Sequence, residues 1–413
     1  MIVRYEPWGA WVKLETLGAR PITCEGDRRG PPVGAALVAL DRDGARALGL
    51  DGGALWTAAA PAPSAPIEVH VAVTSRCAAG CASCYLDARP DGVEPPRAAI
   101  ERVLDALATA GVFTVAFGGG EPTLRDDLGD LADAARARGL TPVVTTSGLG
   151  VGEKKLAALR RFAQVNVSYD GEAGAYERVR GFDGAAGAES TIRRLAEAGV
   201  EVGVNVVLTR ATFDDVPRTL RRAYELGARE AQLLRLKPAG RARSLDYLAR
   251  RLAPEQARAL GPLLRSLARE LPEMRLRIDC ALVPFLSADP ELASRPEELA
   301  RWGVLGCEAA AALAATRVDG RVAPCSFAEA SGIDASEITS RRWAEDPLLH
   351  AFRTFPSSPP EPCASCTLAP ICRGGCKVVT SFVDPAPCSA RGIPAARPDP
   401  ECPRVREREV ATS

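Results

Sequence analysis

Between residues 67 and 237 the chain alternates six strand-like segments with helical ones, and this alternation constrains the fold more than any other feature. Strands joined by helices pair in parallel through right-handed crossovers. The pattern therefore predicts an α/β fold with a parallel sheet, either a partial barrel or an open doubly wound sheet. The strand-like segments are residues 67–74, 112–117, 140–146, 163–170, 200–209 and 230–237, and the helical segments are 95–111, 124–139, 151–162, 189–199 and 214–227.

The two ends of the chain have a different character. Residues 4–15, RYEPWGAWVKLE, are compatible with a strand or hairpin, and residues 53–66 have the alanine and proline content of a linker. Beyond about residue 270 the helical rhythm fades, and nine of the thirteen cysteines lie between residues 280 and 402. We expect a second domain there, with a core held by metal more than by apolar bulk. The predicted units are residues 1–66, 67–275 and 276–403, followed by a tail at 404–413.

Composition excludes several classes of partner. Lysine and arginine together number 52, as do aspartate and glutamate, so nothing predicts binding to nucleic acid or to an acidic membrane surface. No apolar run is long enough to cross a bilayer, and the first residues lack a signal-peptide pattern. These features predict a cytoplasmic location.

In a reducing compartment, clustered cysteines bind metal or do redox chemistry more often than they form disulfides. The chain has only two histidines, His70 and His350, and neither is assigned a role. Their scarcity argues against Cys/His zinc sites and against histidine acid–base catalysis as the main chemistry. The remaining possibility is a site whose ligands are all thiolates, which would bind either zinc or iron–sulfur clusters.

The first cysteine group lies in TSRCAAGCASCYLDA, residues 74–88, directly after the first strand of the array. Function gathers at this carboxyl edge of a parallel sheet. Cys77, Cys81 and Cys84 can bind three irons of a [4Fe–4S] cube and leave the fourth iron open to a small molecule. The alternatives are chance or half of a zinc site, which would need a fourth ligand nearby.

The spacing of these cysteines and their place after a strand resemble the radical S-adenosylmethionine (SAM) superfamily, over about residues 67–240. The resemblance implies a partial (β/α)6 TIM-type barrel, and it implies that SAM chelates the open iron. FGGGEP, residues 117–122, resembles the glycine-rich segment of the family, so Gly118, Gly119, Gly120 and Glu121 are candidate SAM-binding residues. Relatives carry an aromatic residue just before the third cysteine, but here that residue is Ser83.

Four further residues are candidate SAM contacts by the same resemblance. Ser168 and Asp170 lie in NVSYDG, residues 166–171, although Asp170 could be only a turn residue. Asn205 resembles a contact to the ribose hydroxyls, with a hydrogen-bonded core amide as the alternative. Arg180 could face the SAM carboxylate or be an ordinary solvated arginine.

The second cysteine system resembles the SPASM extension of radical SAM enzymes, which holds two auxiliary [4Fe–4S] clusters. By that resemblance Cys363, Cys366, Cys372 and Cys402 hold the distal cluster. The nearer cluster is bound by Cys307, Cys325 and Cys376, and its fourth position is filled by Cys280 or stays open. Cys388 competes with Cys402, which is favoured because PDPEC resembles the end of the family motif. The alternative is a pair of zinc ribbons.

The resemblance implies reductive cleavage of SAM and use of the 5′-deoxyadenosyl radical for oxidative modification of a ribosomally made peptide or protein, with crosslinking as the leading reaction. It implies three [4Fe–4S] clusters and a reductant such as flavodoxin or ferredoxin. One alternative is a formylglycine-generating sulfatase maturase, whose carboxylate base is expected beyond the last cysteine, where only eleven residues follow Cys402. Another is a non-catalytic iron–sulfur electron-transfer module.

Overall fold

The computed structural model describes residues 1–15, 35–57, 64–384 and 397–412. Its strands are β1 Ile2–Glu6, β2 Gly9–Glu15, β3 Ala35–Asp41, β4 Glu68–Thr74, β5 Thr114–Gly119, β6 Thr141–Thr146, β7 Gln164–Ser168, β8 Val202–Leu208, β9 Glu230–Arg235, β10 Arg275–Ile278, β11 Leu313–Thr316 and β12 Val322–Ala323. Its α-helices are α1 Arg42–Ala47, α2 Arg97–Thr109, α3 Leu128–Ala137, α4 Glu153–Leu159, α5 Ala173–Arg180, α6 Ala185–Glu197, α7 Val216–Glu225, α8 Asp246–Arg250, α9 Pro254–Glu270, α10 Pro290–Ala293, α11 Pro296–Arg301, α12 Ser340–Glu345, α13 Pro347–Arg353, α14 Ala369–Cys372, α15 Lys377–Val383 and α16 Pro403–Thr412.

The main sheet has nine strands in the order β10-β9-β8-β7-β6-β5-β4-β11-β12. All neighbouring pairs are parallel except β11 and β12. The six predicted strands are β4 to β9, in sequence order, so the predicted α/β fold is confirmed. The sequence did not predict β10, which extends the sheet beyond β9, or β11, which lies between β4 and the end strand β12.

The residues of the barrel strands point alternately outward and inward. In β5, Val115 and Phe117 are fully buried in a hydrophobic core shared with the helices. The intervening Thr114, Ala116 and Gly118 line an interior cavity. Because β4 and β7 alternate in the same way, the inside of the barrel is a cavity lined by both polar and apolar side chains instead of a second packed core.

Residues 4–15, which are compatible in sequence with a strand or hairpin, belong to a hairpin: β1 and β2 pair antiparallel, and β3 completes a three-stranded sheet. Arg4 Nη1 donates to the carbonyl of Gly111 at 2.9 Å, and Lys13 Nζ donates to that of Gly139 at 2.6 Å. These carbonyls follow α2 and α3, so the small sheet lies against the amino-terminal end of the barrel strands.

The predicted linker is wrong for residues 53–57, where Trp56 is buried and donates to the carbonyl of Gly9.

The C-terminal part of the chain shares the core of the barrel. Leu282, Phe285, Trp343 and Phe352 belong to the same hydrophobic cluster as the barrel strands, so apolar burial contributes there as well as any metal. The predicted boundary at 275/276 falls inside β10, which pairs with β9. None of the helices in the described part of the chain is long and apolar enough to span a bilayer.

Candidate active site

The first cysteine loop leaves β4 at the carboxyl end of the barrel, where the sequence predicted a site. Cys77, Cys81 and Cys84 are half-buried, and all three line the interior cavity. Burial raises the pKa of Cys77, and the nearby Glu121 carboxylate and the other two thiols raise it further. The Cys77 thiol therefore lies close enough to Glu121, Cys81 and Cys84 to be influenced by their charges, and the three thiols border one cavity.

The backbone of this loop is held by side chains from other elements. Arg241 donates from Nε to the carbonyl of Cys81 at 2.9 Å and from Nη1 to Asp87 Oδ1 at 2.9 Å. The backbone N–H of Ala82 donates to the carbonyl of Arg180 at 3.0 Å. These bonds occupy the loop's polar groups, so the thiols are oriented without help from a ligand.

Gly240 lies directly against this loop. A Cβ at Gly240 would lie 2.4 Å from the carbonyl oxygen of Cys84, and the residue has a φ of +54°. We expect Gly240→Ala to lower the free energy of unfolding by about 3 kcal/mol, from left-handed strain and overpacking. Gly53→Ala is the control, since its φ is +52° and it has open space, and it should cost about 1 kcal/mol. Equal urea midpoints for the two variants would contradict the close approach.

The glycine segment at the end of β5 serves two purposes. A Cβ on Gly119 would lie 2.2 Å from the carbonyl oxygen of Thr74, and one on Gly120 would lie 2.1 Å from that of Arg76. These two glycines are therefore required by the cysteine loop that passes beside them. A Cβ on Gly118 would meet nothing within 4 Å, and this residue lines the cavity, where it leaves room for a ligand.

Glu121 is a buried carboxylate at the wall of the cavity. Its Oε1 accepts bonds from the backbone and the hydroxyl of Thr123 and from the hydroxyl of Thr146, at 2.7–3.1 Å. Its Oε2 accepts from the backbone N–H and the hydroxyl of Ser147 at 2.7 and 2.6 Å. A carboxylate has about four lone-pair sites, so these five donors saturate it. Glu121 therefore holds the ends of β5 and β6 together, and its oxygens are already occupied by bonds from the protein.

Asp170 and Arg180 form a buried ion pair beside the cysteine loop, with Arg180 Nε 2.6 Å from Asp170 Oδ2. The other oxygen of Asp170 accepts the backbone N–H of Val207 at 2.7 Å. Burial acts to lower the pKa of Arg180, but Asp170 and the Cys81 thiol raise it more, so the guanidinium stays charged. Arg180 lines the cavity. Asp170 does not line it and acts by holding the Arg180 side chain in place.

Ser168 and Asn205 are register partners on β7 and β8, and both line the cavity. Asn205 Oδ1 is buried and has no hydrogen-bond partner among the described residues. A buried acceptor left unpaired costs free energy, so this atom is suited to a hydroxyl donor of a ligand. The cavity, of about 500 Å³, is large enough for a ligand the size of SAM.

An aromatic pair closes one wall of this cavity. Tyr85 packs on Phe327 with ring centroids 4.9 Å apart, and both residues line it. Ser83, which stands where relatives carry an aromatic residue, accepts a bond from Arg250. Tyr85 thus provides the aromatic surface one position after the third cysteine.

A second group of thiols gathers around Lys237, which follows β9. Buried Cys307 and Cys376 lie close to Cys280 and to Lys237, and they influence the pKa values of their neighbours. Burial raises the pKa of Cys376 to about 12 and that of Cys325 to about 11. The structure thus brings Cys280, one of the two possibilities for the fourth position, together with Cys307, Cys325 and Cys376.

Three features assemble this group. Gly320, with a φ of +83°, turns the chain between β11 and β12. The N–H of Ala310 donates to the carbonyl of Pro324 at 3.0 Å, which draws the segment after Cys307 toward Cys325. Lys237 forms a buried ion pair with Asp279, the residue before Cys280.

A third group of thiols lines a small pocket under Pro284 and Ser287. Burial, together with the neighbouring Cys402 and Cys366 thiols, raises the pKa of Cys363 to about 11. Cys388, the competitor of Cys402, lies outside the described residues. The members of this group are Cys363, Cys366, Cys372 and Cys402.

The three thiol groups are not built for a single ion. Within the described ranges, no three cysteine, histidine or carboxylate side chains are arranged to hold one metal ion.

A buried arginine joins the barrel to the C-terminal cysteines. Arg235 at the end of β9 contacts Asp399 at 2.6 Å and Glu401 at 2.8 Å, and all three side chains are at most 3% exposed. Asp399 also accepts the backbone N–H of Cys376 at 3.0 Å. The sequence analysis assigned no role to Arg235 or Asp399. The one sign in the sequence was that Asp399 and Glu401 stand just before Cys402, in PDPEC.

The matches to known proteins agree with this geometry. A sequence profile described as the Radical SAM superfamily matches residues 71–223, a range that contains the first cysteine loop, the glycine segment and Asn205. The PqqA peptide cyclase of Gluconobacter oxydans (strain 621H) is 30% identical over 356 residues, which is 82% of this chain and 91% of the cyclase. Mycofactocin maturase MftC of Mycolicibacterium smegmatis is 28% identical over 350 residues, 82% of this chain and 83% of the maturase.

A solved structure has the same fold. SuiB of Streptococcus suis, in a crystal structure bound to precursor peptide SuiA, superposes with a TM-score of 0.68 at 18% identity. The superposition covers 91% of this chain and 94% of SuiB, so it extends through the C-terminal cysteine-rich part.

Proposed function

This chain belongs to the radical SAM superfamily, and from that premise we propose that it oxidatively crosslinks a ribosomally made peptide. It is an enzyme that uses a [4Fe–4S] cluster and SAM. One observation carries the proposal. A single cavity is lined by the three thiols of the first cysteine loop, by Gly118, which leaves room for a ligand, and by Asn205, whose Oδ1 has no hydrogen-bond partner among the described residues. When bound, the cluster and SAM supply one-electron cleavage of SAM and hydrogen-atom abstraction.

We assign the residues of the cavity as follows. Cys77, Cys81 and Cys84 hold the cluster, and the carbonyls of the glycine segment accept from the ammonium group of SAM. The charged guanidinium of Arg180 attracts the SAM carboxylate, and Asp170 positions that guanidinium. Ser168 and Asn205 accept or donate hydrogen bonds to the ribose hydroxyls.

The chain itself protects the reaction from water. The apolar outer faces of the barrel strands pack under helices, and Tyr85 and Phe327 close one wall of the cavity. A closed site strengthens the charge interactions inside it and prevents side reactions of reactive species. The saturated Glu121 carboxylate keeps the ends of β5 and β6 fixed while ligands enter and leave.

The two C-terminal thiol groups are proposed to bind auxiliary clusters, which makes three clusters in all and residues 276–403 a SPASM domain. Four thiols around Lys237 support Cys280 as the fourth ligand of the nearer cluster. Four thiols around one pocket support Cys402 in the distal one. An external one-electron donor such as flavodoxin or ferredoxin, in the cytoplasm, would reduce the enzyme.

Peptide crosslinking follows from the relatives. One is named a peptide cyclase, another a maturase, and SuiB was crystallised with a precursor peptide. The cyclase matches this chain over nearly its whole length, so the likeness is not confined to the barrel. A reaction that joins two side chains removes two hydrogens, and the proposed auxiliary clusters suit that net oxidation.

We test the proposal by anaerobic incubation with SAM, dithionite and short peptides encoded beside the gene, with PqqA and SuiA included. We expect 5′-deoxyadenosine and one peptide that loses two hydrogen atoms, measured by mass spectrometry with fragmentation to locate the new bond. Reactions without SAM are the control. Formation of 5′-deoxyadenosine with every peptide mass unchanged would contradict the crosslinking proposal.

A further inference from the structure

We propose that Ser326, His70 and Glu68 form a proton relay that accepts the proton lost by the peptide during crosslinking. This inference rests on the proposed function. His70 Nδ1 lies 2.7 Å from Ser326 Oγ, and His70 Nε2 lies 3.0 Å from Glu68 Oε1. All three residues line the interior cavity, on the inner face of β4 and in the segment after β12. Neither this chain of bonds nor a role for His70 was foreseen from the sequence.

The accessible parts of these side chains face the cavity. His70 and Glu68 are 39% and 36% exposed, although they lie on a central strand of the sheet, so a ligand can reach them only from inside the barrel. Their neighbours on β4 are buried: Val69 and Val71 lie in the hydrophobic core. Arg317 donates to the backbone carbonyl of Ser326 at 3.2 Å, which fixes the serine at the cavity wall.

The hydrogen-bond network assigns the tautomer of the histidine. Burial acts to raise the pKa of Glu68, but His70 and Arg277 lower it more, so the carboxyl is ionised. An ionised carboxylate only accepts hydrogen bonds, so His70 Nε2 carries the proton that it donates to Glu68. In the neutral imidazole Nδ1 is then an acceptor, and the Ser326 hydroxyl, 2.7 Å away, donates to it; this is the form of His70 that can take up a proton. The lone pairs of Ser326 Oγ are left to receive a proton from a peptide in the cavity.

The relay lies beside the proposed electron acceptor. Joining two groups X–H and Y–H removes one hydrogen atom, which SAM-derived chemistry takes, and one further proton and electron. The proton lost by the peptide passes to Ser326 Oγ, and at the same time the hydroxyl proton of Ser326 passes to His70 Nδ1. The Glu68 carboxylate stabilises the imidazolium that forms. An oxidised cluster held by Cys325, the residue next to Ser326, would accept the electron. All atoms and charges are then balanced, and the proton and electron leave at neighbouring positions.

A purely structural role for these bonds is the competing explanation, since they also tie β4 to the segment after β12. The roles can be separated. A structural defect would reduce cluster content and SAM cleavage together with crosslinking. Loss of the relay would leave SAM cleavage intact and uncouple it from crosslinking, because hydrogen abstraction precedes proton loss.

The first test compares His70→Gln, Glu68→Gln and Ser326→Ala with His350→Gln, a matched substitution of the exposed histidine on α13. The ratio of crosslinked peptide to 5′-deoxyadenosine should fall about 100-fold in His70→Gln, the scale of general acid–base catalysis. The fall should be smaller in the other two variants, while iron content stays at the wild-type value. His350→Gln should match wild type. An unchanged ratio in His70→Gln would overturn the relay, whereas a wild-type enzyme that crosslinks no peptide would overturn the proposed function instead.

The second test needs no peptide. With only two histidines in the chain, the full-length His350→Gln holoprotein labelled with ¹⁵N-histidine has a single imidazole. Long-range ¹H–¹⁵N correlation NMR should show the Nε2–H tautomer with Nδ1 unprotonated. A dominant Nδ1–H tautomer would overturn the relay, because Ser326 could then not donate its proton to the ring.

Discussion

Protein in which Cys77, Cys81 and Cys84 are all replaced by alanine should contain about eight irons after anaerobic reconstitution, against about twelve in wild type. It should also form no detectable 5′-deoxyadenosine from SAM and dithionite. The physical reason is that these thiols are the only described cysteines lining the large cavity. Without them no iron is held beside Gly118 and Asn205, so no electron reaches SAM. Iron and sulfide assays and chromatography of the products measure both effects.

The matched control replaces three cysteines of the distal group, Cys363, Cys366 and Cys372. That variant should also lose about four irons, yet it should still cleave SAM, because its pocket lies apart from the large cavity. If both triple variants lost SAM cleavage equally, the assignment of the first loop as the SAM-binding cluster site would have no support.

Arg235→Met should lower the free energy of unfolding by about 3–5 kcal/mol, the cost of leaving buried charges unpaired. Arg235 makes bonds of 2.6 and 3.0 Å to Asp399 and one of 2.8 Å to Glu401. Burial acts to raise the pKa of Glu401, but Arg235 and Arg251 lower it more. Removing Arg235 takes away the larger of these two effects and leaves the buried carboxylate less well stabilised. Urea denaturation followed by circular dichroism under anaerobic conditions measures the loss.

The control for this variant is Arg301→Met, in which the arginine is 77% exposed and paired with an 89% exposed Glu297. That substitution should change stability by less than about 1 kcal/mol, as exposed ion pairs contribute little. Arg235→Met should also reduce iron content, because Asp399 holds the backbone of Cys376. Equal urea midpoints for the two variants would contradict the role of Arg235 as the link between barrel and cysteine-rich part.

The barrel was predictable because its signals are local. Each strand from β4 to β9 is a short β-branched or apolar run with a helix after it, and such runs are recognisable without knowing what they pack against. The cysteine spacings were predictable for the same reason, since three thiols within eight residues share one loop. The helices α5 and α9 were missed, along with the short strands β10 and β11, whose pairing depends on distant partners.

Roles set by distant contacts could not be read from the sequence. The sequence named Cys280 as one of two possibilities for the fourth position and could not decide between them, because Cys280 lies 27 positions before Cys307 and only the return of the chain beside β9 brings the two together. His70 looked like an ordinary strand residue until Ser326, 256 positions away, proved to be its neighbour. Glu121 was grouped with the SAM-binding glycines, but its five hydrogen bonds, two from Thr123 and three from Thr146 and Ser147 at the end of β6, were not visible in the motif.

The most direct measurement of the central claim is the fate of SAM in the anaerobic wild-type enzyme. Incubated with SAM and dithionite, the protein should produce 5′-deoxyadenosine and methionine in equal amounts, and neither should form when the reductant is omitted. Intact SAM after prolonged incubation of fully reconstituted, reduced protein would contradict the account.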